Sequence, residues 1–161
     1  MGRPWITTEP ALTFYEAFGT TTALATTKYV SGNKIYAYSS TYDTPSYQPA
    51  RVVVNDIEVL LHGENPPLPY GRGHNLVVLD SYGDVVTAAD QYDTYFTPSD
   101  STALASALTA VASGNIVVLV VYDASALTAA VRSAINTGYG STNANTWTAD
   151  RKSHIFIGIK V

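Results

Sequence analysis

The sequence predicts an α/β (α+β) domain, a mixed β-sheet or sandwich with two main helices, preceded by an N-terminal extended arm. Three stretches carry that expectation. Thr97-Pro98-Ser99-Asp100 reads as a helix start, with Thr97 as cap, Pro98 at the first helical position and Asp100 placed to reach back. Leu104, Leu108 and Val111 then recur on one face, and Gly114 marks the stop. Ile116 to Val121 is an unbroken aliphatic run, which predicts a central strand buried on both faces. A second helix follows, capped by Asp123 or Ser125, with Leu127, Val131, Ala134 and Ile135 on its inner face and Gly138 at its end.

The remaining elements follow from turn chemistry. Arg51 to Leu61 is strand material that Asn55-Asp56 can split in two, and Pro66, Pro67 and Pro69 force a loop because proline has no donor for a sheet ladder. Leu76 to Leu79, the turn Ser81-Tyr82-Gly83-Asp84 and Val85-Val86 predict a hairpin. The last strand spans His154 to Ile159, after a polar loop from Gly140 to Asp150. These elements make residues 51–161 the domain.

Residues 1–50 differ in character and read as an arm or assembly extension. They are rich in Thr and Tyr, and Lys28-Tyr29-Val30 and Lys34 to Tyr38 flank Ser31-Gly32-Asn33 as a short hairpin with a three-residue turn. Glu9 to Phe18 fits either a short helix or irregular chain.

Composition narrows the function classes. The 161 residues are 46% hydrophobic and only 14% charged, with a net charge of −4. Ordinary soluble domains carry roughly 25% charged residues, so this surface suits contact with other subunits or sugars. The nine Lys and Arg are scattered, which argues against nucleic acid as a partner. There is no cysteine, hence no disulfide or thiolate metal site. No run is long enough to insert into a membrane, and the first residues lack the apolar core of a secretory signal.

Enzyme motifs are missing: there is no Gly-x-Ser-x-Gly elbow, and Gly71-Arg72-Gly73 precedes a strand instead of linking a strand to a helix, unlike a dinucleotide fingerprint. Asp80, Asp84, Asp90 and Asp93 lack calcium-loop spacing. His62, His74 and His154 fall in different elements and read as surface or partly buried residues. Twelve tyrosines, with Trp5 and Trp147, supply faces suited to interfaces or sugars. A glycosidase would need a carboxylate pair facing a cleft, and no pair stands out.

Several strings together resemble the interleukin-like EMT inducer (ILEI/PANDER) family: Gly71-Arg72-Gly73-His74-Asn75, Tyr92-Asp93-Thr94-Tyr95, Tyr122-Asp123, Gly140-Ser141 and Phe156 to Lys160. The resemblance covers roughly Val52 to Lys160. It implies a non-enzymatic binding domain without cofactor. Family members include secreted cytokine-like proteins, and a related domain forms the sugar-holding, non-catalytic stem of the enzyme that adds N-acetylglucosamine to O-linked mannose. Matched onto that stem, the carbohydrate-binding residues are Arg72, Asp123 and Arg151. The sequence departs from the family in having His154 where an aromatic is usual and in lacking the secreted members' cysteines.

Guanidinium forks and carboxylate oxygens at strand ends would give the converging, charge-assisted hydrogen bonds that a sugar needs. The competing reading makes Asp123 a helix cap, with Arg72 or Arg151 as its ion-pair partner. A charge-poor, Thr- and Tyr-rich chain of this kind also resembles virion components of tailed bacteriophages. The expected partners are therefore a host-surface glycan and other virion proteins, in a homo-oligomer or larger assembly. The expected location is the virion, or otherwise the extracellular space. The alternatives are a capsid, collar or tail subunit without a glycan, and a secreted cytokine-like binding domain.

Overall fold

The computed structural model describes residues 13–19, 22–45, 48–62, 72–146 and 152–161. Its strands are β1 (Phe14–Gly19), β2 (Leu24–Val30), β3 (Asn33–Thr41), β4 (Ala50–Val54), β5 (Ile57–His62), β6 (Gly73–Leu79), β7 (Val85–Tyr92), β8 (Ile116–Asp123) and β9 (Ser153–Ile159). The helices are α1 (Pro98–Ala110) and α2 (Ala129–Tyr139). The expected α+β class, with a large, mostly antiparallel sheet and two helices, is what the chain adopts.

Three layers result. Antiparallel β1-β9-β8-β6-β7 form the middle layer, and the meander β2-β3-β4-β5 forms the second sheet. The two are joined where Ser40 and Thr41 of β3 pair in parallel with Tyr122 and Asp123 of β8. Because side chains alternate along a strand, the middle sheet has two apolar faces. Leu76, Val78, Val117, Leu119 and Phe156 pack beneath the helices with Leu104, Leu108, Val131, Ile135 and Tyr139. Val77, Leu79, Ile116, Val118, Val120, Ile155 and Ile157 pack against Ile35, Ala37, Val52, Val54 and Leu60 of the meander. Ile116 to Val121 is aliphatic throughout because both of its faces are covered.

The first fifty residues do not stand apart as an arm where they are described. Of Glu9 to Phe18, left open as helix or irregular chain, residues 9–12 lie outside the described residues, and Phe14–Gly19 is the edge strand paired with β9. Val30, Ile35 and Ala37 belong to the core. The β2–β3 turn has two residues instead of three, since Val30 pairs with Asn33 and both Ser31 and Gly32 take positive φ, 50° and 80°. Asn55 and Asp56 split β4 from β5 with φ of 50° and 68°. Buried Asn33 ties these turns to the β6–β7 turn: its Nδ2 donates to the Ser81 carbonyl at 3.0 Å, and its Oδ1 accepts from Asn55 Nδ2 at 3.0 Å.

Asp100 and Thr97 divide the start of α1 differently from a capping box. Thr97 occupies the cap position without a side-chain hydrogen bond, while Asp100 accepts from the Asp93 N–H at 2.8 Å. Asp100→Ala should therefore cost about 1 kcal/mol, on the scale of a lost cap, and Thr97→Ala a few tenths. Urea denaturation of the two variants ranks them. At the other end of α1 the Leu108 carbonyl accepts from Tyr139 Oη at 3.0 Å and the Thr109 carbonyl from Lys160 Nζ at 3.1 Å.

The expected caps of the second helix are corrected. β8 runs on to Asp123, and residues 124–128 carry no helix before Thr128, whose Oγ1 accepts from the Val131 N–H at 3.4 Å. Ser125 instead donates to the Lys152 carbonyl at 2.8 Å. α2 continues through Gly138 to Tyr139, and Gly140 closes it at φ 81°.

Candidate functional site

The rim where β6 begins and β7 and β8 end gathers the polar residues of interest. Gly73 sets it up. Its φ is +93°, and a Cβ there would lie 2.1 Å from the Tyr92 carbonyl oxygen and 2.7 Å from the Thr94 nitrogen. Only glycine permits that approach, which brings the Tyr92–Thr94 backbone against the start of β6.

Arg72 is thereby set beside Asp93. Its Nε donates to both Asp93 oxygens at 3.1 Å and its Nη2 to Oδ2 at 2.5 Å, a bidentate fork. Arg72 retains 33% side-chain exposure and Asp93 19%, so the pair lies at the surface with one partner sheltered. The exposed Phe96 ring lies 5.5 Å from the guanidinium carbon. The hydrogen bond to Asp93 raises the Arg72 value above that of an ordinary arginine; burial opposes it, and the charges of Asp93 and Asp123 add to it. Asp93 also receives the Phe96 N–H at 3.2 Å, and Gln91 Nε2 donates to the Arg72 carbonyl at 2.5 Å, which fixes the backbone on both sides.

Arg72 and Asp123 thus share one rim, Arg72 bridging to Tyr122 next to Asp123. Asp123 sits at the end of β8 with φ +67°, uncommon for a residue with a side chain, and its carbonyl accepts from the Tyr42 N–H at 2.6 Å. It is not the helix cap of the competing reading. The closest partner of Arg72 is Asp93, weighed in the sequence only as a calcium ligand although it lies in one of the family strings. Arg151 lies outside the described residues, as do Trp5 and Trp147. Among the described residues no group of three or more His, Cys, Asp or Glu is placed to hold a metal. Asp80 and Asp90 serve local structure: Asp80 accepts the Tyr82 and Asp84 N–H groups, and Asp90 accepts Tyr92 Oη at 3.2 Å. Burial, then the Asp90 charge, pushes the Tyr92 hydroxyl up to about 12.

Directly behind the rim runs a buried polar chain that the sequence reading missed. His74 and His154, read from the sequence as surface or partly buried residues, are fully buried. His74 Nδ1 is 2.8 Å from Thr94 Oγ1 and His74 Nε2 is 2.9 Å from His154 Nδ1. His154 Nε2 is 2.7 Å from Glu16 Oε2, and Ser141 Oγ donates to Glu16 Oε1 at 2.6 Å. Phe18 stacks on the His154 ring at 4.7 Å. His154 therefore faces the interior, and its departure from the family's aromatic does not alter an exposed sugar-stacking surface. Alternation offered one signal: His74 and His154 share parity with Leu76 and Phe156, which face the helices.

Two helices on an antiparallel sheet backed by a four-stranded meander define an α+β sandwich whose polar rim lies at the ends of β6 and β8. Residues 72–160 match the interleukin-like EMT inducer family over more than half of the chain, and the protein belongs to that family. No curated protein matches the sequence. No helix among the described residues is long and apolar enough to cross a membrane.

Proposed function

We propose that this chain is a non-enzymatic recognition and assembly protein that holds carbohydrate at the Arg72 rim, as part of a virion component such as a bacteriophage tail, fibre or decoration protein. The observation that carries the reading is the Arg72–Asp93 fork, still partly exposed, with the open Phe96 ring beside it. A sugar presents hydroxyls that donate and accept together with an apolar C–H face. The fork offers N–H donors and carboxylate oxygens, Asp123 adds a second acid, and the ring offers a stacking face. Family membership is compatible with a binding domain. The host-surface glycan follows from the virion reading.

Titration calorimetry with glycans found on an array tests the site. Arg72→Ala and Asp123→Ala should each weaken binding by about 10- to 100-fold, the range for a lost charge-assisted hydrogen bond of about 1.5–3 kcal/mol. Thermal melts confirm that the variants remain folded. Binding indifferent to both substitutions removes the site.

A second, purely structural reading is favoured by the exposed Tyr29, Ile57, Tyr82 and Val86 at or beside the three linked turns, which suit packing against neighbouring subunits. Light scattering separates it: a concentration-dependent oligomer disrupted by Tyr82→Asp, with no glycan hit on the array, supports packing alone.

A further inference from the structure

From the buried chain Glu16–His154–His74 we infer an acid-released latch that fastens the edge strand β1 to the domain, independent of any carbohydrate at the rim. Among the described residues β1 is held by one ladder, to β9, by Phe14 and Phe18 packed partly buried against the helical core, and by Tyr15 against the meander core. Its one described charged side chain, Glu16, reaches 0% exposure to meet His154. Among the described side chains hydrogen-bonded to or stacked on the histidine pair, Glu16 of β1 carries a charge. Thr94 after β7, Ser39 of β3 and Phe18 of β1 are neutral, as is Ser141 after α2 on the far side of Glu16. Arg72, two residues before His74, pairs with Asp93, and Lys152 stands two residues before His154, its carbonyl accepting from Ser125.

Counting protons along the chain gives two complete arrangements. With both rings neutral, Thr94 Oγ1 donates to His74 Nδ1, His74 Nε2 to His154 Nδ1, and His154 Nε2 to Glu16. One added proton makes His154 an imidazolium against the carboxylate and reverses the other two bonds: His154 Nδ1 donates to His74 Nε2, and His74 Nδ1 to Thr94 Oγ1. The cluster is then neutral and every bond survives. A second proton has no place, because it would set two N–H groups against each other across 2.9 Å. Burial, and then the charge of His154, accordingly holds His74 well below the ordinary histidine range.

Release of β1 exposes both rings, and a free histidine takes its proton near pH 6.5. His74, held below the ordinary histidine range while the latch is closed, is free to take its proton once it opens, so below that pH the open state binds an additional proton. Opening becomes easier by up to tenfold per pH unit as pH falls, and release bares the ladder edge of β9.

Amide hydrogen exchange on the full chain, corrected for intrinsic rates, reads the latch directly. Between pH 6.5 and 4.5 the protection of residues 14–19 should fall by about 50-fold while that of β8 holds. His74→Gln, whose side-chain oxygen can accept from protonated His154, should flatten that dependence. Glu16→Gln removes the counter-charge, so both rings must stay neutral in the closed state, and release should move to higher pH. Unchanged β1 protection at acid pH, loss of β8 protection in step with β1, or an unaltered pH slope in His74→Gln would each overturn the latch.

Discussion

Gly73→Ala should destabilise the protein by about 3–5 kcal/mol, among the largest losses any single methyl can cause here. Two costs add. The φ of +93° strains any residue with a Cβ, by about 1–3 kcal/mol. The new carbon also meets main chain, at 2.1 Å from the Tyr92 oxygen and 2.9 Å from the Asp93 Cα, and backbone cannot rotate away as a side chain can. Overpacking of that kind costs about 1–3 kcal/mol more. Urea denaturation gives the loss. The displaced segment carries Asp93, so the variant should also loosen the Arg72 fork. At Gly140, whose φ is +81°, a Cβ would meet nothing within 4 Å, so Gly140→Ala should show the conformational cost alone. A Gly73→Ala variant no worse than Gly140→Ala would contradict the packing account of the rim.

The second large effect is His154→Leu, expected to cost about 3–5 kcal/mol at neutral pH, the range for breaking a buried pair and stranding its partner. The leucine fills most of the ring's volume, but Glu16 keeps only the Ser141 hydroxyl and His74 loses the group at its Nε2. Adding Glu16→Leu should recover much of that loss, because an apolar pair in a buried site needs no counter-charge. If the double variant is no more stable than His154→Leu alone, stranded charge is not the cause.

Both variants act where the sequence was hardest to read. The fold itself was largely legible: Pro98 and the Leu104–Leu108 spacing marked α1, the Ile116–Val121 run marked the central strand, and Asn55-Asp56 marked a turn, because each is a local signal. The start of α2 was misplaced because Asp123 and Ser125 are as good at capping as Thr128, and the choice depends on the contact of Ser125 with the distant Lys152 carbonyl. β1 was unreadable for the same reason: among the described residues its ladder is to β9, on the far side of the domain in sequence.

At the rim, Arg72 and Asp123 could be named from family strings. The Arg72–Asp93 bond spans a separation of 21 residues and exists because Gly73 lets two backbones touch. The histidine pair is separated by 80 residues and joined to a glutamate in a third element, so no spacing pattern could reveal it.

The claim that the Arg72 rim is where this domain recognises its ligand is tested most directly by amide-resolved NMR during glycan titration. Saturable shift changes are expected at Arg72, at Asp93 through Phe96 and at Asp123, with the outer face of the β2–β5 meander silent. Saturable changes confined to that meander face, around Tyr36 and Arg51, with none at the rim, would contradict it.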